Sequence, residues 1–132
     1  MILLDTQALI WMDAGSNKIG PQSRTCIDAA LKEDELAVSA ISFWELGMLQ
    51  IKKRISLPPL IQWRRELIEM GLQEIPITGI EGITANQLKN FHADPADRLI
   101  VATAITSDAQ LITADRKILE WPGEVRRIDA EN

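Results

Sequence analysis

Tyrosine is absent from the 132 residues, and cysteine and histidine occur once each, as Cys26 and His92. One cysteine cannot close an internal disulfide, and one cysteine with one histidine cannot build a Cys/His zinc cage. A disulfide-stapled secreted scaffold and a zinc module are therefore excluded. No apolar run approaches the ~20 residues needed to cross a bilayer, so no membrane association is expected. The apolar start MILLDTQALIWM has no basic leader and is broken by Asp5, unlike a signal peptide, and the expected location is the cytoplasm. Basic residues are in the minority, 14 Lys and Arg against 19 Asp and Glu, for a net charge of −5. That balance argues against a general nucleic-acid coat protein, but not against a nuclease whose acids are gathered in one place. With four acids set aside for a cation, the rest of the surface is nearly neutral. No repeat, low-complexity tract or long linker is present. The length is near the modal size of one domain, expected over residues 1–128, with residues 129–132 a frayed tail.

Strand and helix signals alternate along the chain. Apolar Ile2–Leu4 reads as a strand, followed by a helix from about Thr6 to Asp13. Pro21 suits the first turn of a helix running to about Lys32. Leu36–Ser39 is a short apolar strand, and a helix covers about Ala40 to Lys53. Pro58-Pro59 opens a helix to Met70, with Gly71 as its C-cap. Gln73–Ile77 alternates as an edge strand, and Thr78–Asn90 is a helix weakened by two glycines. Asp94-Pro95 starts a helix to about Ser107, and Gln110–Thr113 and Val125–Ile128 are the last strands. This order predicts an α/β fold with a parallel sheet covered on both faces, and sites in such sheets lie beyond the carboxyl ends of the strands.

Four acids stand out by placement. Asp5 directly follows the first strand, and Asp115 follows the strand QLIT. Glu45 is the only charge between Ser39 and Ile51, beside a stripe of Ile41, Trp44, Met48 and Ile51 at helical spacing that reads as core. Asp97 sits three positions after Asp94, where Pro95 occupies the first helical position and Asp94 is the natural N-cap. Each aspartate taken alone is explained by helix capping. Together, all four can converge on one rim of the sheet. Two carboxylates about 5 Å apart repel by ~3 kcal/mol at an effective dielectric near 20, so such a cluster must protonate or hold a cation. All-oxygen ligation favours Mg²⁺ or Mn²⁺ over zinc. These ions stabilise charge on a phosphoryl group, as many nucleases require.

The segments LLDTQALIW, VSAISFWELGML, HADPADRLIVATA and LITADRKI, in this order and spacing from Ile2 to about Ile128, resemble the PIN-domain toxins of VapBC toxin–antitoxin systems. The resemblance implies a three-layer PIN-like fold with a mainly parallel central sheet. It also implies an endoribonuclease that hydrolyses RNA phosphodiesters with Mg²⁺, Mn²⁺ serving as substitute. The family's acids map onto Asp5, Glu45, Asp97 and Asp115. Asp5 and Asp97 would be direct metal ligands, with Asp115 close by or acting through water, and Glu45 would position or deprotonate the attacking water. Thr6, Asp94 and Thr113 take supporting roles. A cognate VapB-like antitoxin that blocks the site, and a homodimer, are expected on the same ground. Gln7 stands where many relatives carry histidine, and Ala96 where they carry phenylalanine. His92 reads as a solvated residue ahead of a helix, outside the catalytic set.

RNA requires cations despite the acidic total. Arg98 and Arg116 adjoin the proposed acids and are the candidates for phosphate contact. Four tryptophans are a large aromatic content. Trp44 reads as core, and Trp11 and Trp63 as core residues or as flanks of a partner groove. Two other readings remain open. One is a non-catalytic interaction module whose acids only cap helices; the other is a nuclease of the same fold acting on DNA or structured ends.

Overall fold

The computed structural model describes all 132 residues. Five short strands and seven helices follow in the order β1 (Ile2–Leu4), α1 (Thr6–Asp13), α2 (Pro21–Lys32), β2 (Leu36–Ser39), α3 (Ile41–Ile51), α4 (Leu60–Met70), β3 (Gln73–Ile75), α5 (Gly79–Asn86), α6 (Pro95–Thr106), β4 (Gln110–Thr113), α7 (Arg116–Leu119) and β5 (Arg127–Asp129). The sheet order is β3-β2-β1-β4-β5, and every neighbouring pair is parallel. Successive strand residues face opposite sides. Leu4, Leu36, Val38 and Ile112 pack in one core layer with Leu9, Leu46 and Trp63. Leu3, Ala37 and Leu111 pack in the other with Ile100, Val101 and Ile118. β1 lies centrally, and the chain runs from it towards β2 on one side and β4 on the other. The rim beyond β1 and β4 is thus the switch point of the topology, where open parallel sheets place their ligand sites. No helix is long and apolar enough to cross a membrane.

Several expectations need correction. The α3 stripe is not core: Trp44 is 57% and Ile51 84% exposed, while Ser42 and Leu46 are buried. Apolar residues occur on every side of this helix, so their spacing alone does not select the inward face. α5 stops at Asn86, short of Asn90, whose φ of 58° lies in the left-handed region and cannot continue a helix. β3 ends at Ile75, ahead of Pro76, and α4 begins at Leu60, after both prolines. Trp63 is core as expected, its indole N–H donating to Asp13 Oδ2 at 2.9 Å.

The tail expected to fray is ordered. The last strand is Arg127–Asp129 against the expected Val125–Ile128, and it pairs with β4 from Leu111 with Arg127 to Thr113 with Asp129. Ala130 is fully buried, donates its N–H to Thr113 O at 2.9 Å and accepts from Gly20 N at 2.9 Å. Ser23 Oγ donates to Asp129 O, and a side chain at Gly20 would strike the Asn132 backbone, so glycine is what lets the two segments meet. Removing residues 129–132 is expected to cost about 1–2 kcal/mol through these lost hydrogen bonds. At roughly 3–5 °C per kcal/mol that is several degrees in a thermal melt, where removing a frayed tail would change nothing.

Candidate metal centre

Asp5 is the first residue beyond β1 and caps α1. Its Oδ1 accepts from Ala8 N at 2.8 Å, and its Oδ2 accepts from Thr113 Oγ1, at the end of β4, at 2.5 Å. Thr113 Oγ1 in turn accepts from Asp115 N at 3.0 Å, so one hydroxyl joins the ends of both strands. Asp5 is only 6% exposed. Burial pushes its carboxyl up to about 6, against the pull of the Thr113 and Ala8 donors, and the charges of Asp97 and Asp115 add to the rise. Asp115 caps α7, its Oδ1 accepting from Lys117 N at 2.8 Å.

Asp94 caps α6, its Oδ1 accepting from Asp97 N at 3.0 Å, so Asp97 projects from the first turn. Burial raises the Asp97 carboxyl, a hydrogen bond with His92 opposes this, and Asp94 and Asp115 push it further up. Glu45, in the second turn of α3, is also raised, first by burial and then by Asp97 and Asp94, with the Thr6 hydroxyl opposing. The Thr6 Oγ1 hydroxyl donates to the buried Ser42 Oγ at 2.9 Å and so ties α1 to α3.

All four acids named from their placement line one cleft of about 490 Å³, together with Thr6, Asp94, Gln7 and an apolar wall that includes Ile10, Trp11 and Leu49. Ligand atoms of Glu45, Asp94 and Asp97 lie within 4.8 Å of one another, and so do those of Asp97, Asp115 and His92, the last standing behind the cleft lining. Asp97 belongs to both trios and is the geometric centre. Asp5 belongs to neither trio; its Oδ1 and Oδ2 each accept one hydrogen bond, from Ala8 N and Thr113 Oγ1, and each keeps a lone pair. Buried carboxylates raised by burial and by one another form a site that a divalent cation would relieve, and their oxygen donors suit a hard ion of that kind.

Arg98 departs from the expected phosphate role. Its Nε donates to His92 O at 2.9 Å, Nη1 to Ala85 O at 3.0 Å and Nη2 to Phe91 O at 2.6 Å. A guanidinium engaged by three carbonyls has no free edge for a phosphate, so Arg98 instead ties the loop after α5 to α6. Arg116 is exposed and pairs with Asp129. Neither arginine lines the cleft. The residues that sequence reasoning missed are His92, Ser42 and Glu131. Glu131 lines the cleft from the turn that follows β5, whose Ala130 N–H donates to Thr113 O and keeps the chain beside the end of β4.

The chain matches the model of the PIN domain over residues 2–123. It is 39% identical over 119 residues to Ribonuclease VapC22 of Mycobacterium tuberculosis, covering 89% of this chain and 88% of that one. Among solved structures it is similar to a toxin–antitoxin complex from Klebsiella pneumoniae, at TM-score 0.69 and 20% identity over 98% of each chain. VapBC-1 from nontypeable Haemophilus influenzae matches at TM-score 0.68 and 22% identity over the whole of both chains. The structural matches show a shared fold. With the family model spanning most of its length and a relative of this identity, the chain belongs to the PIN domain family.

Proposed function

We propose that this chain is the endoribonuclease toxin of a type II toxin–antitoxin pair, cutting RNA phosphodiesters with Mg²⁺, for which Mn²⁺ substitutes. The observation that carries this reading is the convergence of Asp5, Glu45, Asp97 and Asp115 on one cleft at the switch point of a PIN-domain sheet. The 39% identical relative named as a VapC ribonuclease supports the choice of RNA. Asp5, Asp97 and Asp115 would hold the cation, with Asp5 also anchoring the strand ends from the more buried side. A divalent cation bound there supplies charge stabilisation to the phosphoryl oxygens and acidity to water. Glu45, half-buried and raised, is placed to orient the attacking water and take its proton. Thr6 ties α1 to α3 through Ser42, one turn from Glu45, Thr113 holds Asp5, and Asp94 fixes the turn that presents Asp97. Arg116 remains the cation nearest in sequence to the acids for a phosphate beyond the rim.

The exposed face of α3 supports the antitoxin reading. Trp44, Met48 and Ile51 border a shallow apolar hollow of about 410 Å³ that an amphipathic antitoxin segment would cover, with Ile61 exposed on the adjoining α4. Homodimerisation and a cytoplasmic location complete the proposal.

Total cellular RNA incubated with the purified chain tests it, with new 5′ ends mapped by sequencing in Mg²⁺, Mn²⁺ and chelator arms. Discrete ends that need the metal and vanish with Asp97→Asn are expected. No such ends from folded, inhibitor-free protein would favour an interaction module, and equal cutting of matched single-stranded DNA would make it a general nuclease.

A further inference from the structure

The carboxylate shared by the two ligand trios is aimed by an unusually elaborate loop. Asp97 stands at the start of α6 between Glu45 and Asp94 on one side and Asp115 on the other. A side chain of two rotatable bonds so placed can turn either way unless something fixes it. The one side chain that hydrogen-bonds its carboxylate is His92, with Nε2 at 2.7 Å from Oδ2. An ionised carboxylate only accepts, so the ring nitrogen is the donor.

His92 is itself held from several directions. Its ring stacks on Phe91 at 4.4 Å between centres and 26° between planes. Phe91 meets Trp121 edge-on at 5.3 Å, and the Trp121 indole N–H donates to Lys89 O at 2.8 Å. The Arg98 guanidinium lies over the other ring of the stack, 5.7 Å from the centre of Phe91, while donating to the carbonyls of Phe91 and His92. Arg98 follows Asp97 directly, so the loop that carries the donor is bolted to the same turn that carries the acceptor. Resting on the metal-centre reading above, we infer that His92 is the positioning residue of Asp97: it fixes Oδ2 and leaves the other oxygen directed at the cation, with Arg98 holding the ring in place.

The arrangement also separates positioning from ligation. The nitrogen that donates to Asp97, Nε2, has no lone pair for a metal, so through that atom His92 acts on Asp97 and not on the cation. Loop packing alone would require only the ring, whereas positioning requires the N–H.

Mn²⁺ binding to the full chain without RNA distinguishes these roles, with free Mn²⁺ followed by electron paramagnetic resonance. His92→Phe keeps the stack on Phe91 and removes the donor; His92→Gln returns an amide donor near the Nε2 position. The expected result is about tenfold weaker Mn²⁺ binding in His92→Phe, of the order seen when an outer partner of a ligand is lost, and recovery to near wild type in His92→Gln. A thermal melt confirms that each variant is folded, and His92→Leu replaces the phenylalanine variant if that one is not. Unchanged affinity in His92→Phe overturns the inference. Equal weakening in both variants also overturns it, making the imidazole a direct ligand. If the wild-type chain shows no Asp97-dependent Mn²⁺ binding, the metal centre itself fails, a result separate from failure of the histidine's role.

Discussion

Asp5→Asn is expected to abolish RNA cleavage and, in metal-free protein at pH 7, to raise the melting temperature. The two effects have one cause. Asp5 is held ionised at neutral pH in a buried position where its carboxyl titrates near 6, against an ordinary value of 3.8. The folded chain therefore carries a charge that it would bind a proton to remove, and linkage sets the strain on the order of 3 kcal/mol at neutral pH. Asparagine has the same shape and keeps an oxygen for the Ala8 N–H, while its amide can donate to Thr113 Oγ1, reversing that bond. Repulsion from Asp97 and Asp115 disappears. A gain of about 1–3 kcal/mol follows, or several degrees in a melt. Charge stabilisation by a cation is worth several kcal/mol at a phosphoryl centre, so weakening its site costs about a thousandfold or more in rate. Cleavage at the wild-type rate, or a melting temperature lowered by several degrees, would refute this account.

The pH response of the metal-free and metal-loaded proteins is expected to run in opposite directions. Asp5, Glu45 and Asp97 are all raised by folding. An acid raised in the folded state destabilises that state when ionised, so the penalty is complete above about 6 and is relieved as pH falls from there towards 3.8. Glu74 has the opposite sign, since the Arg64 guanidinium at 2.7 Å holds its carboxyl below the usual range, and its contribution is lost only below about pH 4.5. In chelator, therefore, the melting temperature rises between pH 7 and pH 5 and turns down below that. From Asp5 alone the gain over this interval is about 1 kcal/mol. Cation binding requires the same carboxylates ionised. Protonation of Asp5 weakens Mn²⁺ about tenfold between pH 7 and pH 5, and Glu45 and Asp97, raised in the same direction, add to that. The rise in melting temperature on adding Mn²⁺ at one concentration is thus larger at pH 7 than at pH 5. Melts at pH 5, 6 and 7 in chelator and in Mn²⁺ measure both, and a metal-free protein that loses stability steadily from pH 7 to pH 5 would contradict them.

The positions of Asp5 and Asp115 were legible because they depend on local signals. A short apolar run gives a buried strand, and the residue after it lies at the carboxyl end of the sheet whatever the rest of the chain does. Asp94 and Asp97 were legible through the helix start at Pro95. Arg98, adjacent to Asp97, was misread because its role depends on where residues 85–92 return after α5, a fold-back with no sequence period. His92 was overlooked for the same reason, since its partner is recognisable only when that loop is closed. Trp44 was placed in the core because α3 is apolar on all sides, and only the packing of Ser42 and Leu46 shows which side turns inward. The last strand was placed to start two residues and to end one residue too early, because parallel pairing with β4 is set by a partner distant in the chain, not by the composition of RRIDA.

The hydrogen bond between Asp5 and Thr113 joins residues 108 positions apart. Synthesis runs from the amino end, so the cleft receives its first carboxylate early and its strand partner and Asp115 only after most of the chain exists. β1 cannot be flanked on its β4 side before residue 110 has been made, and until then Asp5 has neither the Thr113 donor nor the burial that follows from it. A nascent or prematurely terminated chain that stops before β4 and Asp115 is therefore catalytically inert, and a translating cell is exposed to the nuclease only after those residues have been made.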